Sequence, residues 1–291
     1  MKQIVFISLL IASVFCSCTK DPSLDGLLPS EKETVNGMAV TWRDCMTEAQ
    51  RQAVRNIIND MVLVEGGIFM MGTSQVYDKD ARENESPAHL VKLTNFYISA
   101  HELGYSQLHS LMEIAESKIY YKSDLLRYSR SEWEDVLWLL SSLTGLKFTF
   151  PTEAQWEYSA RGGCKSEGYL YPGSNDLSLI WHAEIDGSNT SMPNELGLYN
   201  MADKQAEWCA DRYSTYSDDV ILINPIVSYG TDYVVRGGSY ECSGTDKSWS
   251  RYELYSKDKR ACRSTTRSKN SRSTAVSYIG CRPAININIE Q

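Results

Sequence analysis

FPTEAQWEYSARGG, residues 150–163, carries its own start and stop signals. Thr152 followed by Gln155 is a capping box, in which a hydroxyl and an amide satisfy backbone donors at a helix start. Gly162 and Gly163 close the segment, because glycine takes the left-handed conformation that ends a last turn. The spacing predicts a short helix over 151–163. Upstream, SEWEDVLWLLSSLTG (131–145) reads as a second helix, with Ser131 and Glu134 as its cap signature and Gly145 as its stop. Its apolar stripe is Trp133, Val136, Leu137 and Leu140. TEAQRQAVRNIIND (47–60) is a third, capped by Thr47 and Gln50, with Ala53, Ile57 and Met61 at helical spacing. Glu153 and Glu157 lie four residues apart. Glu153 is read as favourable charge at a helix start rather than as half of an acid–base pair.

Strand signals surround these helices. MVLVEGGIFMMG (61–72) reads as strand, Gly-Gly turn, strand, and HLVKLTNFYIS (89–99) has strand composition with Val91 and Leu93 alternating against Lys92 and Thr94. The terminal ININIE (285–290) alternates as a half-buried strand does. Between 164 and 281 the chain is dense in Gly, Ser, Asn and Tyr and predicts short strands and long loops. No repeat and no boundary interrupts 57–291, so the expected fold is one α+β domain.

The chain has 291 residues, 42% of them hydrophobic, and a net charge of −8, which argues against general nucleic-acid binding. The charge is uneven: residues 247–272 carry nine Lys or Arg against two acids, which leaves the remainder at −15. The amino terminus, MKQIVFISLLIASVFCSC, has one early lysine and an apolar run too short for a membrane span. It reads as a signal peptide over 1–17, and Cys18 resembles the lipidated first residue of a bacterial lipoprotein. Residues 18–46 read as a tether, 47–60 as a lead-in helix and 61–291 as the domain. The expected location is extracytoplasmic, anchored by lipid at the outer membrane or cell surface. Six further cysteines, 45, 164, 209, 242, 262 and 281, favour disulfides in such a compartment. None has zinc spacing. The four histidines, 89, 101, 109 and 182, show no paired spacing and read as surface or hydrogen-bonding residues.

Six pieces taken together resemble the formylglycine-generating enzyme (sulfatase-modifying factor) family. They are MVLVEGGIFMMG, HLVKLTNFYIS, FPTEAQWEYSARGG, PNELGLYNMADKQAEW, VVRGGSY and IGCRPA, in the family's order over roughly residues 57–287. The resemblance implies a C-type-lectin-like fold: a small twisted sheet, few helices and much irregular loop. Active members of the family use copper, oxygen and two cysteines after the Gly-Gly-Ser turn to oxidise a sulfatase cysteine to formylglycine. Two thiolates suit the soft cuprous ion. Here Ser239 matches the serine of the turn and Cys242 the first cysteine, but Lys247 stands where the second should be. An ammonium is no ligand for a cation. Ala206 and Tyr278 replace a Trp and an Asn of active members. The resemblance therefore implies the fold and speaks against the activity, and copper is not expected.

Cys242 itself is open between a disulfide half, an inert thiol and a thiol activated by the basic residues after it. The resemblance implies a Cys209–Cys262 disulfide, with Cys164 as the rival partner. It also implies a calcium loop at NMADKQAEW, residues 200–208, using the side chains of Asn200 and Glu207 and the main-chain oxygens of Asp203 and Gln205. A second calcium site of the family, near 180–189, is not carried over because Leu179 stands where a ligating Asn would. The long basic and aromatic loop, 240–275, is the expected contact for a protein or glycan partner in the envelope, with Trp249, Arg251, Tyr252 and Tyr255 as anchors. Two rival functions stay open: an oxidase with a rebuilt cysteine site at Cys262 or Cys281, and a calcium-dependent carbohydrate-binding module.

Overall fold

A computed structural model describes residues 27–44, 46–114, 127–180, 192–218, 221–239 and 259–287. Cys18, Cys45, Cys242, Lys247, Trp249, Arg251, Tyr252 and Tyr255 lie outside the described residues.

The described residues start with strands where a tether was expected. β1 (Leu27–Leu28) pairs with β4 (Met46–Thr47), and β2 (Glu31–Val35) forms a hairpin with β3 (Met38–Trp42). The alternation of Met38, Val40 and Trp42 turns one face of the hairpin inward, into a core shared with helix α1 (Glu48–Asn59). Glu33 holds it there, accepting from Trp42 Nε1 at 2.6 Å and from Arg55 Nε at 3.1 Å. The tether is thus corrected from residue 27 onward: these residues are part of the domain.

α1 starts at the capping box formed by Thr47 and Gln50, as its spacing predicts. β5 (Met61–Val64) and β6 (Ile68–Met71) follow, and β7 (His89–Lys92) and β8 (Phe96–Ser99) divide the segment expected as one strand. The two halves of each pair enter different sheets. β5 pairs with β8 and β6 with β7, both antiparallel. Both chains must therefore cross between sheets at one place, where a Cβ on Gly66 would lie 2.2 Å from the Leu93 carbonyl oxygen. No side chain fits there, and this is what the glycine provides.

Helix α2 (Tyr105–Ile114) precedes α3 (Arg130–Thr144). The cap of α3 is Ser129 with Glu132, not Ser131 with Glu134, and Gly145 closes it with φ of 71°. β9 (Phe148–Thr149) leads to α4 (Glu153–Ala160), capped by Thr152 and Gln155 as expected and buried on every side. The remaining strands are β10 (Ala206–Arg212), β11 (Leu222–Ile223), β12 (Tyr233–Arg236), β13 (Arg267–Asn270), β14 (Ile279–Gly280) and β15 (Ala284–Asn286). They complete three small sheets in the orders β13-β12-β10-β14, β11-β7-β6 and β5-β8-β15-β9. Among the described residues no helix is long and apolar enough to cross a membrane.

Candidate functional site

The Gly237-Gly238-Ser239 turn leaves β12 and lies directly on the 200–205 loop. A Cβ on Gly237, where φ is +83°, would come within 3.0 Å of the Met201 carbonyl oxygen. One on Gly238 would meet the Ala202 carbonyl oxygen at 2.3 Å and Cys262 Sγ at 3.0 Å. The glycine pair thus permits a contact that no other residue allows, and it brings Cys262 against the turn. Ser239, at the mouth of this contact, is buried.

The expected Cys209–Cys262 bridge is not formed. Cys209 belongs to a core around α4, with Ala154 and Trp156, whereas Cys262 packs with Tyr171, Leu177, Ile180 and Ala202. Cys164, the rival partner, is an exposed free thiol whose Sγ lies 3.9 Å from Glu65 Oε2. Burial pushes the thiols of Cys209 and Cys281 far above their ordinary range. Of the two cysteines expected as rebuilt copper ligands, Cys281 packs in the core cluster that holds Trp208 and Ile279, and Cys262 is the one placed at the turn.

The residues expected to hold calcium are brought together by the 200–205 loop and β10. The left-handed positions of that loop are Asn200 and Lys204, each with φ of 60°, so Asp203 stands in for glycine without backbone strain. Glu207 is fully engaged. Its Oε1 accepts from Arg282 Nη2 at 2.7 Å and Nε at 2.9 Å, and its Oε2 from Arg282 Nε at 2.9 Å and Trp156 Nε1 at 2.7 Å. Three N–H groups thus already occupy its two oxygens, and a metal would have to share them. Among the described residues no three His, Cys, Asp or Glu side chains converge as metal ligands would. Glu102 is the residue the sequence reading missed. It sits beside this group, with Asn200 Nδ2 3.4 Å from its Oε2 and Arg282 Nη2 3.9 Å away. Its Oε1 is buried with no hydrogen-bond partner. Burial, opposed by Arg282 and reinforced by Glu207 and Asp203, pushes Glu102 up to about 8. Glu102 and Glu207 share one guanidinium, and this excess of negative charge is the feature that fits a cation. The engaged Glu207 is the feature that does not.

Glu153 and Glu157 are charge partners of arginines. Arg267 grips Glu153 with Nε at 2.8 Å and Nη2 at 2.7 Å, 114 residues away in sequence. Glu157 accepts from Arg161 Nε and the Gly72 N–H at 2.9 and 2.8 Å, and pairs on its other oxygen with Arg236. Burial alone would raise Glu157; Arg161 and Arg236 outweigh it and hold the carboxyl below its ordinary range. His101 Nδ1 donates to Asp60 Oδ1 at 2.8 Å, and the ring stacks on Tyr199.

Comparison with known proteins agrees with this architecture. Residues 46–287 match the sequence model of the sulfatase-modifying factor enzyme 1-like domain. The chain is 26% identical over 293 residues to a formylglycine-generating enzyme of Bos taurus, covering 77% of this chain and 74% of that protein. It is 26% identical over 215 residues to the chaperone protein LppX of Paenibacillus barcinonensis, covering 54% of this chain and 73% of that one. Among solved structures it superposes on PvdO from Pseudomonas aeruginosa with a TM-score of 0.59 at 20% identity, covering 78% of this chain and 94% of the other.

Proposed function

The chain belongs to the sulfatase-modifying factor enzyme 1-like domain family, and from that premise we propose that it is a non-catalytic binding or scaffolding member, anchored by lipid at Cys18 and working in the cell envelope. The observation that carries this reading is the donor set at the Gly-Gly-Ser turn. Cys242 is followed five residues later by Lys247, which gives a cuprous ion a cation in place of a thiolate. The relatives include a protein named as an enzyme and one named as a chaperone, which supports a reading in which likeness to the family does not by itself bring the enzyme's chemistry. The basic, aromatic loop after the turn is the proposed contact for an envelope protein or glycan, with Trp249, Arg251, Tyr252 and Tyr255 as anchors. Calcium at the 200–207 loop is part of the proposal as a structural ion, supported by the carboxylate excess around Arg282.

The contact between Cys262 and Gly238 favours a second reading, an oxidase in which Cys262 replaces the lost thiolate. A Cu(I) titration of the mature protein against a competing chelator separates the two. The binding reading expects only weak copper uptake, unchanged in Cys262→Ser. Tight stoichiometric uptake abolished by Cys262→Ser selects the oxidase.

A further inference from the structure

The sheet β11-β7-β6 is apolar on both faces. Phe69, Met71, Val91 and Leu222 pack inward against α4 and its neighbours. The register Ile68↔Lys92, Met70↔Leu90 and Ile223↔Lys92 places the other set together on the outer face. There Ile68 is 58% exposed, Met70 49%, Leu90 38% and Ile223 67%. An antiparallel sheet with a solvated face normally carries polar side chains on it; here Lys92 is the one charge among four aliphatics.

β6 is also an edge strand. Its hydrogen-bonding parity follows from one bond: Leu93 N–H donates to the Gly67 carbonyl at 2.8 Å. That makes 67–93, 69–91 and 71–89 the bonded pairs of the ladder. The N–H and C=O of Ile68 and Met70 therefore point away from β7, towards the open edge. Among the described residues none bonds to them. At the next residue of the same parity, Gly72, the edge is closed, because its N–H donates to Glu157 and its carbonyl accepts from Arg161. Natural edges are guarded by lysine, proline or a bulge; Ile68–Met71 carries none of these.

The geometry points to strand addition at this edge. An extended segment of a partner polypeptide pairs with β6 through Ile68 and Met70, lays apolar side chains beside theirs, and brings a carboxylate towards Lys92. Lys92 lies directly across β6 from the added strand, roughly 10 Å away at two strand spacings, a gap that a glutamate and a lysine side chain close together. Other occupants fit less well. A second copy pairing through its own β6 brings no acid to Lys92 and doubles the apolar face instead of covering it. A bilayer surface leaves the outward backbone groups in hydrocarbon without partners.

The test uses the mature protein and a fluorescein-labelled peptide alternating valine and threonine, with one glutamate among the valines. A twin peptide N-methylated on its alternate amides is the control. Fluorescence anisotropy is expected to show micromolar binding of the first peptide and at least tenfold weaker binding of the twin. Met70→Pro removes an outward donor without touching the β6-β7 ladder, so it should keep the thermal midpoint and lose binding at least tenfold. Ile68→Asp serves as a second variant with the same expected loss. Equal binding of the N-methylated twin, or no binding of either peptide, overturns the proposal. So does a wild-type dimer in sedimentation that Met70→Pro dissociates, which assigns the edge to a second copy. Binding to phosphatidylglycerol vesicles that Ile68→Asp abolishes overturns it as well, in favour of a membrane contact.

Discussion

Two groups of buried carboxylates lie near Trp156, one reached by its indole N–H and the other through Arg236 over its ring, and they are balanced differently. In the group at Arg236, Glu153 and Glu157 each have their own arginine, Arg267 and Arg236, and Glu157 has Arg161 as well. In the other, Glu102 and Glu207 share Arg282. The same residue type therefore has two behaviours. Glu157, matched to arginines, is held below its ordinary range. Glu102, short of arginine, is pushed up to about 8. A count of acidic residues in the sequence cannot separate these cases, because the partners come from 79 and 114 residues away.

The largest effect is expected from removing the shared cation. Arg282→Met takes the shared counter-charge from Glu102 and Glu207 and should cost about 3–5 kcal/mol in urea unfolding, as breaking a buried pair does. Arg236→Met should fall at the low end of that range, since Arg161 still faces Glu157. Equal losses would mean that the two groups are not differently balanced.

Calcium comes next. Saturating calcium should raise the stability of the wild-type protein by about 2–3 kcal/mol at a hundred times the dissociation constant. Chelation should reverse this. No shift in the thermal midpoint would remove calcium from the account.

The proton is the smaller form of the same effect. Folding raises the pKa of Glu102 from 4.5 to about 8, so across that window the native state holds a proton that the unfolded chain has released. Stability therefore falls as pH rises from about 5 to 8. Asp211, lifted to about 7 by burial and by Glu153, acts in the same direction. Glu102→Gln should flatten the profile and stabilise the protein at pH 7.5 by about 1–3 kcal/mol. Calcium should flatten it too, because the ion takes the place of the proton. An unchanged slope in Glu102→Gln would place the pH dependence elsewhere. The smallest effect is the control: Arg272→Ala breaks a half-exposed pair with Glu134 and should cost under about 1 kcal/mol.

What the sequence revealed of this structure follows the range of the interactions. Capping boxes are local, so Thr47–Gln50 and Thr152–Gln155 were readable. SRSEWE offers the Ser-x-x-Glu spacing twice, from Ser129 and from Ser131, and packing of the Trp133 stripe selects the first. The β2-β3 hairpin was obscured by the polar residues of β2, although Met38, Val40 and Trp42 alternate plainly. Arg282 stood inside the quoted IGCRPA motif, yet nothing local marks it as the partner of Glu207, 75 residues earlier. Nor does spacing show that Cys262 meets Gly238 while Cys209 turns into another core.

The proposal to be tested is that this chain, with Lys247 five residues after Cys242, does not oxidise a sulfatase cysteine. The direct measurement is mass spectrometry of a cysteine-containing sulfatase peptide after incubation with the copper-loaded protein in air. The account predicts that the cysteine is recovered unchanged, with no aldehyde trapped by a hydrazide probe. Catalytic conversion of that cysteine to formylglycine, dependent on this protein, would contradict it.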